Sequence, residues 1–417
     1  MGTAAAGPVA SGNAAAAAML TAQPAHPYNA PTMSQTTTTP PSPADRLIAG
    51  AMSGTSADGV DVALVRVAGR GLDMTARLVR HHHRAYPPEL RREIFSFRGG
   101  DATANLARLA QLGREISLAY AIAVSDALAT EKLSGADLAA VAAHGQTLYH
   151  APPNTIQWFD PSLVAAHVGC PVVSDFRRAD LAAGGQGAPL VPFADYILFR
   201  HPKRSRVLLN LGGIANMTYV PAGADIEQLI AFDTGPANCV LDHLARRAGL
   251  PGGFDRDGER SLRGEASFAT AFVAIRMWKG VFYPPPKSTD GPEMIAAFEE
   301  GVATTGIGDA PMEDQLATAC VMSALGIDFG LHHIGGRPDE IIASGGGVDN
   351  PRLVREVETV AQLPLRRTDD LGVPSQAKEA IAFALLGAAT LDGVPSNVPS
   401  CTGASRVVVL GSITPKP

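Results

Sequence analysis

The stretch from Val207 to Asn238 restricts the fold more than any other, because two glycine turns frame one short strand. Val207-Leu-Leu209 is a β-type apolar run that meets Asn210-Leu-Gly-Gly-Ile-Ala-Asn216, so the chain must turn back at Gly212-Gly213. Glycine tolerates φ > 0 there and has no Cβ to hold an anionic ligand off the backbone N–H groups. Met217-Thr-Tyr-Val220 returns, and Ile230-Ala-Phe-Asp233-Thr-Gly-Pro-Ala-Asn238 delivers a carboxylate, Asp233, at the end of a second apolar run. Pro236 is placed to open a helix carrying Val240, Leu241 and Leu244. A carboxylate beside backbone donors and a helix N-terminus suits chemistry on a phosphate. A plain hairpin followed by an Asp-Thr-Gly turn is the alternative.

A similar device lies near the start of the chain. The short strand Arg46–Met52 and a second strand, Val62–Val67, flank the loop Ser53-Gly-Thr-Ser-Ala-Asp-Gly-Val-Asp61. Ser53, Thr55 and Ser56 offer hydroxyl donors, and Asp58 or Asp61 offers an oxygen to magnesium, directly or through water. This is no P-loop, since it lacks Gly-Lys-Ser/Thr and no helix follows at once. His81, His82 and His83 on one strand alternate between its faces, so they cannot share one metal ion and are expected in solvent.

Further along, Leu138–Ala143 reads as a buried strand that presents His144 at its C-terminal end, where open α/β sheets bind ligands. A long helix is expected from Thr103 to Ala129. The run Asp175-Phe-Arg-Arg-Ala-Asp180 leads into Gly184-Gly-Gln-Gly-Ala-Pro-Leu-Val-Pro192, a backbone-exposing loop with carboxylates beside it. Such groups hold the vicinal hydroxyls of sugars, so this is the candidate substrate loop; it also serves as a linker between lobes. The proline-locked segment Tyr283–Pro292 presents Lys287, Ser288 and Thr289, to phosphate or simply to solvent. A helix is expected over Glu313–His332. The strand Glu340–Ser344 then runs into Gly345-Gly-Gly347 and a helix from Pro351, a seat for adenosine against bare backbone. A last helix, Gln376–Thr390, carries Glu379 in its first turn, where the helix dipole favours a carboxylate.

Composition narrows the class. The 417 residues suffice for two domains with sizeable cores. No apolar run approaches the roughly 18 residues a membrane helix needs. A net charge of −6 disfavours a general grip on nucleic acid. The four scattered cysteines read as reduced thiols, with no zinc or disulfide framework. Residues 1–44 contain no Lys, Arg, Asp or Glu and are rich in Ala, Pro and Thr, so a disordered, dispensable extension is expected. No secretory signal is expected, as no Lys or Arg precedes Arg46.

Two strand–glycine-turn–strand hairpins and a third glycine loop imply a duplicated α/β architecture. The expected lobes are 45–205 and 206–417, each giving one phosphate hairpin to an interlobe cleft for nucleotide. By analogy this is the two-lobed actin-like and hexokinase-like ATPase fold. In order, Ser53–Asp61, His144-Gly-Gln-Thr147, Asp175-Phe-Arg with Gly184–Pro192, Asn210–Asn216, Phe232–Asn238 and Ser344–Gly347 closely resemble the anhydro-N-acetylmuramic acid kinases, across residues 46–414.

The resemblance implies an enzyme of peptidoglycan recycling that uses ATP and Mg²⁺. It would open the 1,6-anhydro ring with water and phosphorylate O6, giving N-acetylmuramic acid 6-phosphate and ADP. Asp233 would be the general base. The ATP-binding residues would be Gly54, Thr55, Ser56, Ala57, Asp58, Gly59, Val60 and Asp61, with Gly212, Gly213, Gly345, Gly346 and Gly347. The sugar would meet His144, Asp180, Gln186, Gly187, Asn238 and Glu379. A cytoplasmic homodimer with small-molecule partners, and neither nucleic acid nor membrane, completes the expectation. The superfamily places an Asp in its first strand where this chain has Ala51-Met52, which leaves the magnesium ligand open between Asp58, Asp61 and water. The competing readings are another sugar or amino-sugar kinase of the superfamily, and a nucleotide-gated binding protein.

Overall fold

In a computed structural model the described residues are 45–99, 105–285, 287, 289 and 291–417. The expected extension 1–44 and Ser288 lie outside them, as does the expected helix start at Thr103. The strands are β1 (Arg46–Ser53), β2 (Gly59–Ala68), β3 (Thr75–Ala85), β4 (Ala140–Ala151), β5 (Asn154–Trp158), β6 (Val172–Ser174), β7 (Arg206–Leu211), β8 (Ile214–Val220), β9 (Ile230–Pro236), β10 (Glu340–Ser344), β11 (Leu365–Arg367) and β12 (Ser412–Thr414). The α-helices are α1 (Pro88–Arg98), α2 (Leu106–Thr130), α3 (Pro161–Val168), α4 (Arg178–Ala182), α5 (Pro192–Phe199), α6 (Asn238–Arg247), α7 (Phe268–Met277), α8 (Gly291–Thr305), α9 (Met312–Leu331), α10 (Pro351–Ala361), α11 (Lys378–Leu391) and α12 (Pro399–Thr402).

The duplication is visible in strand order. One sheet runs β12-β6-β4-β1-β2-β3, with β5 on β4, and the other runs β11-β10-β7-β8-β9. In each, three sequential antiparallel strands (β1-β2-β3 and β7-β8-β9) are extended by parallel strands, β4 and β6 in one and β10 and β11 in the other. The expected α/β class with two related lobes is what the chain adopts.

Side chains alternate across each strand and so divide the interior into three cores. Leu47, Ala49 and Ala51 face α2 and α3, where Leu112, Ile116, Tyr120 and Val124 meet them. Ile48, Ala63 and Val65 face the opposite way, into a core shared with α5 and α11. The second sheet sends Leu208, Val220, Ala231 and Ile342 into that same core from the other side. Its other face, with Val207, Leu209 and Leu211, is covered by helices α6 to α10. Helices α5 and α11 therefore form a central layer between the two sheets.

The expected lobe boundary needs a correction at the far end. Helix α11 packs on β1, β2 and β4, and β12 adds to β6, so the last forty or so residues return to the first sheet. The cause is that α11 is apolar on nearly every side, which only a sandwiched position satisfies. Backbone contact is close: a Cβ on Gly50 would come 1.9 Å from the Ala380 carbonyl, and one on Gly387 would come 2.4 Å from the Ala142 Cβ. Glycine is required at both.

Within this layer Lys378 Nζ lies 2.9 Å from Asp195 Oδ1, with side chains 6% and 3% exposed. The pair is electrostatic and lies off hydrogen-bond alignment, while Thr218 of β8 donates to Asp195 Oδ2 at 2.9 Å. It thus ties α11, α5 and the second sheet together. Replacing one partner strands the other as a buried charge. Lys378→Met is expected to lose about 3–5 kcal/mol in urea unfolding, and Lys378→Met with Asp195→Leu to recover most of it.

Candidate active site

The two glycine hairpins have related environments. In the first, Gln146 of β4, fully buried, accepts from Ser53 Oγ at 2.7 Å and donates to the Gly54 carbonyl at 3.1 Å. The Thr55 carbonyl accepts from Arg98 and the Ser56 carbonyl from Arg91, both of α1. The N–H groups of Thr55 and Ser56 carry no hydrogen bond among the described residues. In the second hairpin the Gly212 carbonyl accepts from Asn238 N at 3.0 Å. The Gly213 carbonyl accepts from Ala237 N and Cys239 N at 3.1 and 2.9 Å. Again the N–H groups of Gly212 and Gly213 are uncommitted, and a Cβ on Gly213 would meet nothing within 4 Å. Donors without side-chain cover suit phosphate oxygens.

Several expected residues are placed differently. Pro236 ends β9, and the helix opens two residues later at Asn238. Three N–H groups at that helix N-terminus, those of Ala237, Asn238 and Cys239, are taken by the hairpin carbonyls. Ala57 and Val60 are buried in the outer core, leaving only backbone for a nucleotide. Gly59 serves strand packing, since a Cβ there would lie 2.3 Å from the Arg84 carbonyl. Asp58 is exposed and takes Ser56 Oγ at 3.0 Å. Of the three glycines after β10, Gly346 is exposed, while Gly347 is packed against Leu211.

The histidines of β3 alternate as expected, yet they are not idle. His81 Nε2 and His83 Nδ1 lie 2.9 and 3.1 Å from Asp61 Oδ1, while His82 points the other way, 3.8 Å from Asp126. Among the described residues no group of three or more His, Cys, Asp or Glu is arranged to hold a metal ion. A magnesium ion usually keeps several waters and needs only one or two carboxylates beside substrate phosphates. Asp58, with Oδ2 uncommitted, and Asp61, held through Oδ1 alone, fit that pattern.

The first lobe's polar cluster centres on Arg177, a residue not assigned a role from the sequence. Its Nε donates to His144 Nε2 at 3.0 Å, and its NH1 donates to the Gly187 carbonyl at 3.2 Å. His144 Nδ1 is 2.9 Å from the Gly145 carbonyl, which makes Nδ1 the protonated nitrogen. Both ring nitrogens of His144 are therefore used, and it orients Arg177. Burial, with Arg177 next, holds His144 well below the usual imidazole range. The same two causes lower His150 to about 4. Burial also draws Arg177 down to about 10, opposed by Glu379. The Glu379 side chain makes no hydrogen bond among the described residues. Burial raises its pKa most, Lys378 and Arg177 pull it down, and Asp61 and Asp195 push it up.

Asp180 and Gly187, both expected at the sugar, meet each other. Asp180 is fully buried, and its oxygens accept from Asn397, Thr402 and Gly187 N. Gln186 is left partly exposed, with its side chain uncommitted among the described residues. Asn238 Nδ2 donates to the Leu211 carbonyl at 3.2 Å, which fastens α6 to the hairpin.

Asp233 lies within β9 rather than at its end, beside a register shift that opens between Ala215 and Asn216 of β8. Its N–H donates to the Lys287 carbonyl at 3.1 Å, and its Oδ2 accepts from Thr289 N at 2.9 Å. Oδ1 has no partner among the described residues. A cavity of about 450 Å³ adjoins it, lined by Trp278, Tyr283, Lys287, Thr289 and Glu300. Burial lifts Asp233 from 3.8 to about 6, against the Thr289 hydrogen bond and the Lys287 charge. Lys287 Nζ donates to the Gly280 carbonyl at 2.9 Å and sits over the Phe232 and Trp278 rings. Burial lowers it to about 8 despite Asp233.

A raised carboxyl pKa means that ionisation costs the folded state. That cost sets in as pH rises from the unfolded value of 3.8 toward about 6. Asp233→Asn is therefore expected to gain stability relative to the parent across that window and to hold a constant advantage above it. Urea unfolding at stepped pH checks this; a pH-independent difference overturns it.

Known proteins resemble this chain over most of its length. The family described as "Anhydro-N-acetylmuramic acid kinase" matches residues 46–416. A protein of that name from Salinibacter ruber is 38% identical over 390 residues, covering 88% of this chain and 96% of the relative. Another, from Francisella tularensis subsp. novicida, is 36% identical over 382 residues, covering 87% and 97%. Among solved structures, the activator of the 2-hydroxyisocaproyl-CoA dehydratase from Clostridium difficile with bound ADPNP has a TM-score of 0.45 at 12% identity, covering 82% of this chain and 94% of that one.

Proposed function

Because this chain belongs to the anhydro-N-acetylmuramic acid kinase family, we propose that Asp233 is the general base of that family's reaction. The activity is a phosphotransfer in peptidoglycan recycling: the 1,6-anhydro ring is opened and O6 is phosphorylated at the expense of ATP. The observation that carries the assignment is the Asp233 carboxyl, desolvated, held through Oδ2 and uncommitted at Oδ1 beside a cavity.

In this reading ionised Asp233 takes a proton from water as the water oxygen bonds to the anomeric carbon. The bond from that carbon to O6 breaks, and the electron pair left on O6 attacks the γ-phosphorus, releasing ADP. A base with its pKa near 6 is ionised at neutral pH yet basic enough to share a proton in the transition state. The uncommitted N–H groups of Thr55, Ser56, Gly212 and Gly213 support phosphate binding, because their donors are fixed before the nucleotide arrives. Magnesium would neutralise phosphate charge, with Asp58 and Asp61 the residues suited to hold it directly or through water. Glu379 and Arg177 are proposed to meet the sugar, one accepting from hydroxyls and the other donating. Among the described residues no helix is long and apolar enough to cross a membrane. A cytoplasmic homodimer completes the proposal, supported by the resemblance alone, and the lobes are taken as 45–205 with 378–414 and as 206–367.

Two outcomes are expected. Asp233→Asn should lower turnover by about 10²–10⁴-fold while ATP affinity stays near that of the parent. In ¹⁸O-labelled water the parent's product should carry one water-derived ¹⁸O together with the phosphate, and unlabelled phosphorylated sugar would remove the hydrolytic role. In addition, kcat/KM for the anhydrosugar, with the magnesium nucleotide saturating, should fall on the acid side with an apparent pKa near the 6 of the free carboxyl. A profile flat to pH values near 4 would show that another group is the base.

A further inference from the structure

The C-terminal segment after α11 is absorbed by none of the chemistry above, yet it contributes to a buried polar network in the first lobe. Asp180 Oδ1 accepts from Asn397 Nδ2 and from Thr402 Oγ1, each at 2.8 Å. Asp180 Oδ2 accepts from Gly187 N at 2.7 Å. No side chain fits between the carboxylate and the loop, since a Cβ on Gly185 would lie 2.2 Å from Oδ2. The backbone continues the same junction. Gln186 N donates to the Thr402 carbonyl and Ser405 N to the Ala183 carbonyl, both at 2.9 Å. Asn397 is itself held, with Oδ1 accepting from Val408 N at 2.7 Å. One residue before Thr402, Cys401 Sγ donates to the Leu229 carbonyl at 3.6 Å, just ahead of the strand that carries Asp233.

We propose that Asp180, Asn397 and Thr402 are positioning residues, a brace that holds the glycine loop 184–187 at the sugar and ties it to the strand of the base. This rests on the reading of that loop as sugar-binding. Asp180 is held away from solvent, since it is fully buried and both its carboxylate oxygens accept from protein donors. The loop needs such support, since Gly184 and Gly187 adopt φ of +83° and +67° and have no side chains of their own to pack. On its other side the Gly187 carbonyl is held by Arg177 NH1 at 3.2 Å. Gln186 is the residue between these two fixed points, so its side-chain direction is set by the brace behind and by Arg177 in front.

Thr402→Val keeps the shape but removes one donor to Asp180, and Thr402→Ser keeps the donor. Steady-state kinetics on the full chain should show KM for anhydro-N-acetylmuramic acid rising about tenfold in Thr402→Val, as the loop loses its register. KM for the magnesium nucleotide and kcat should stay within about twofold, and Thr402→Ser should restore the sugar KM. A uniform loss that tracks lowered thermal stability, or an unchanged sugar KM, overturns the brace. Asn397→Ser, which removes the other Oδ1 donor, is read by the same constants should Thr402→Val fail to fold. Gln186→Ala separates the two readings: a raised sugar KM there with none in Thr402→Val sinks the brace alone, and no change in Gln186→Ala sinks the substrate loop with it.

Discussion

The rest of the structure depends on how closely α11 can approach the first sheet. Gly50 on β1 and Gly387 on α11 remove the two Cβ atoms that would otherwise stand in the contact. Alanines at 380, 384 and 388 line the same layer, all fully buried. With the helix seated this deep, its N-terminal turn carries Lys378 and Glu379 to the middle of the molecule. Lys378 is neutralised by Asp195, which in turn holds Thr218 of the second sheet. The buried pair is weak evidence for stability by itself, because desolvation offsets much of the attraction. Its consequence here is registry: it fixes where along the layer Glu379 stands, where it feels the charges of both Arg177 and Asp61.

Burial is the main cause of the raised pKa in both Asp233 and Glu379, but the charges around them differ. For Asp233 burial is the main cause, moderated by a single backbone donor and by Lys287. For Glu379 burial is likewise the main cause, with Lys378 and Arg177 opposing it and Asp61 and Asp195 adding to it. A base whose pKa depends on few neighbours keeps its value when distant charges change. A residue tuned by four neighbours responds to each of them, which suits a group whose task is to match a polar ligand rather than to take a proton. Lys287 completes the contrast, with two carbonyls and two aromatic faces around an amine drawn down to about 8.

Much of this was legible in the sequence because it is local. The alternation in Val207-Leu-Leu209 and the glycine pairs define the hairpins, and the helices from Pro351 and over Met312–Leu331 follow from pattern and caps. What escaped was set by distance along the chain. Asp180 reads as a free carboxylate beside a glycine loop until Asn397, 217 residues later, is found on it. Arg177 was hidden between the two aspartates of its run, and its importance depends on His144 and Gly187 converging from separate elements. The return of α11 and β12 to the first sheet has the same character. An all-round apolar helix announces burial, but not between which sheets. Where Asn238 begins α6 was missed for a nearer reason: Pro236 fits both a strand end and a helix start, and pairing with Ile214 decides for the strand.

The two hairpins reach one electrostatic result by different means. In each, the carbonyl groups of the turn are drawn away by donors, leaving the N–H groups uncommitted. The first turn gives its carbonyls to Arg91 and Arg98, mobile charges on long side chains. The second gives them to three N–H groups at the start of α6, donors fixed in the backbone. A peptide unit polarised at its carbonyl has a more acidic N–H, because hydrogen bonds in sequence reinforce one another. Polarisation by Asn238 N is thereby relayed through the Gly212–Gly213 peptide unit to the Gly213 N–H, and the Asn238 side chain does the same for the Gly212 N–H through the Leu211 carbonyl. Such a relay needs a turn without side chains and a helix beginning at Asn238, two residues after the strand that holds Asp233 has ended. The position of the base and the polarity of the second hairpin are thus one constraint, set by the length of Thr234-Gly-Pro-Ala237.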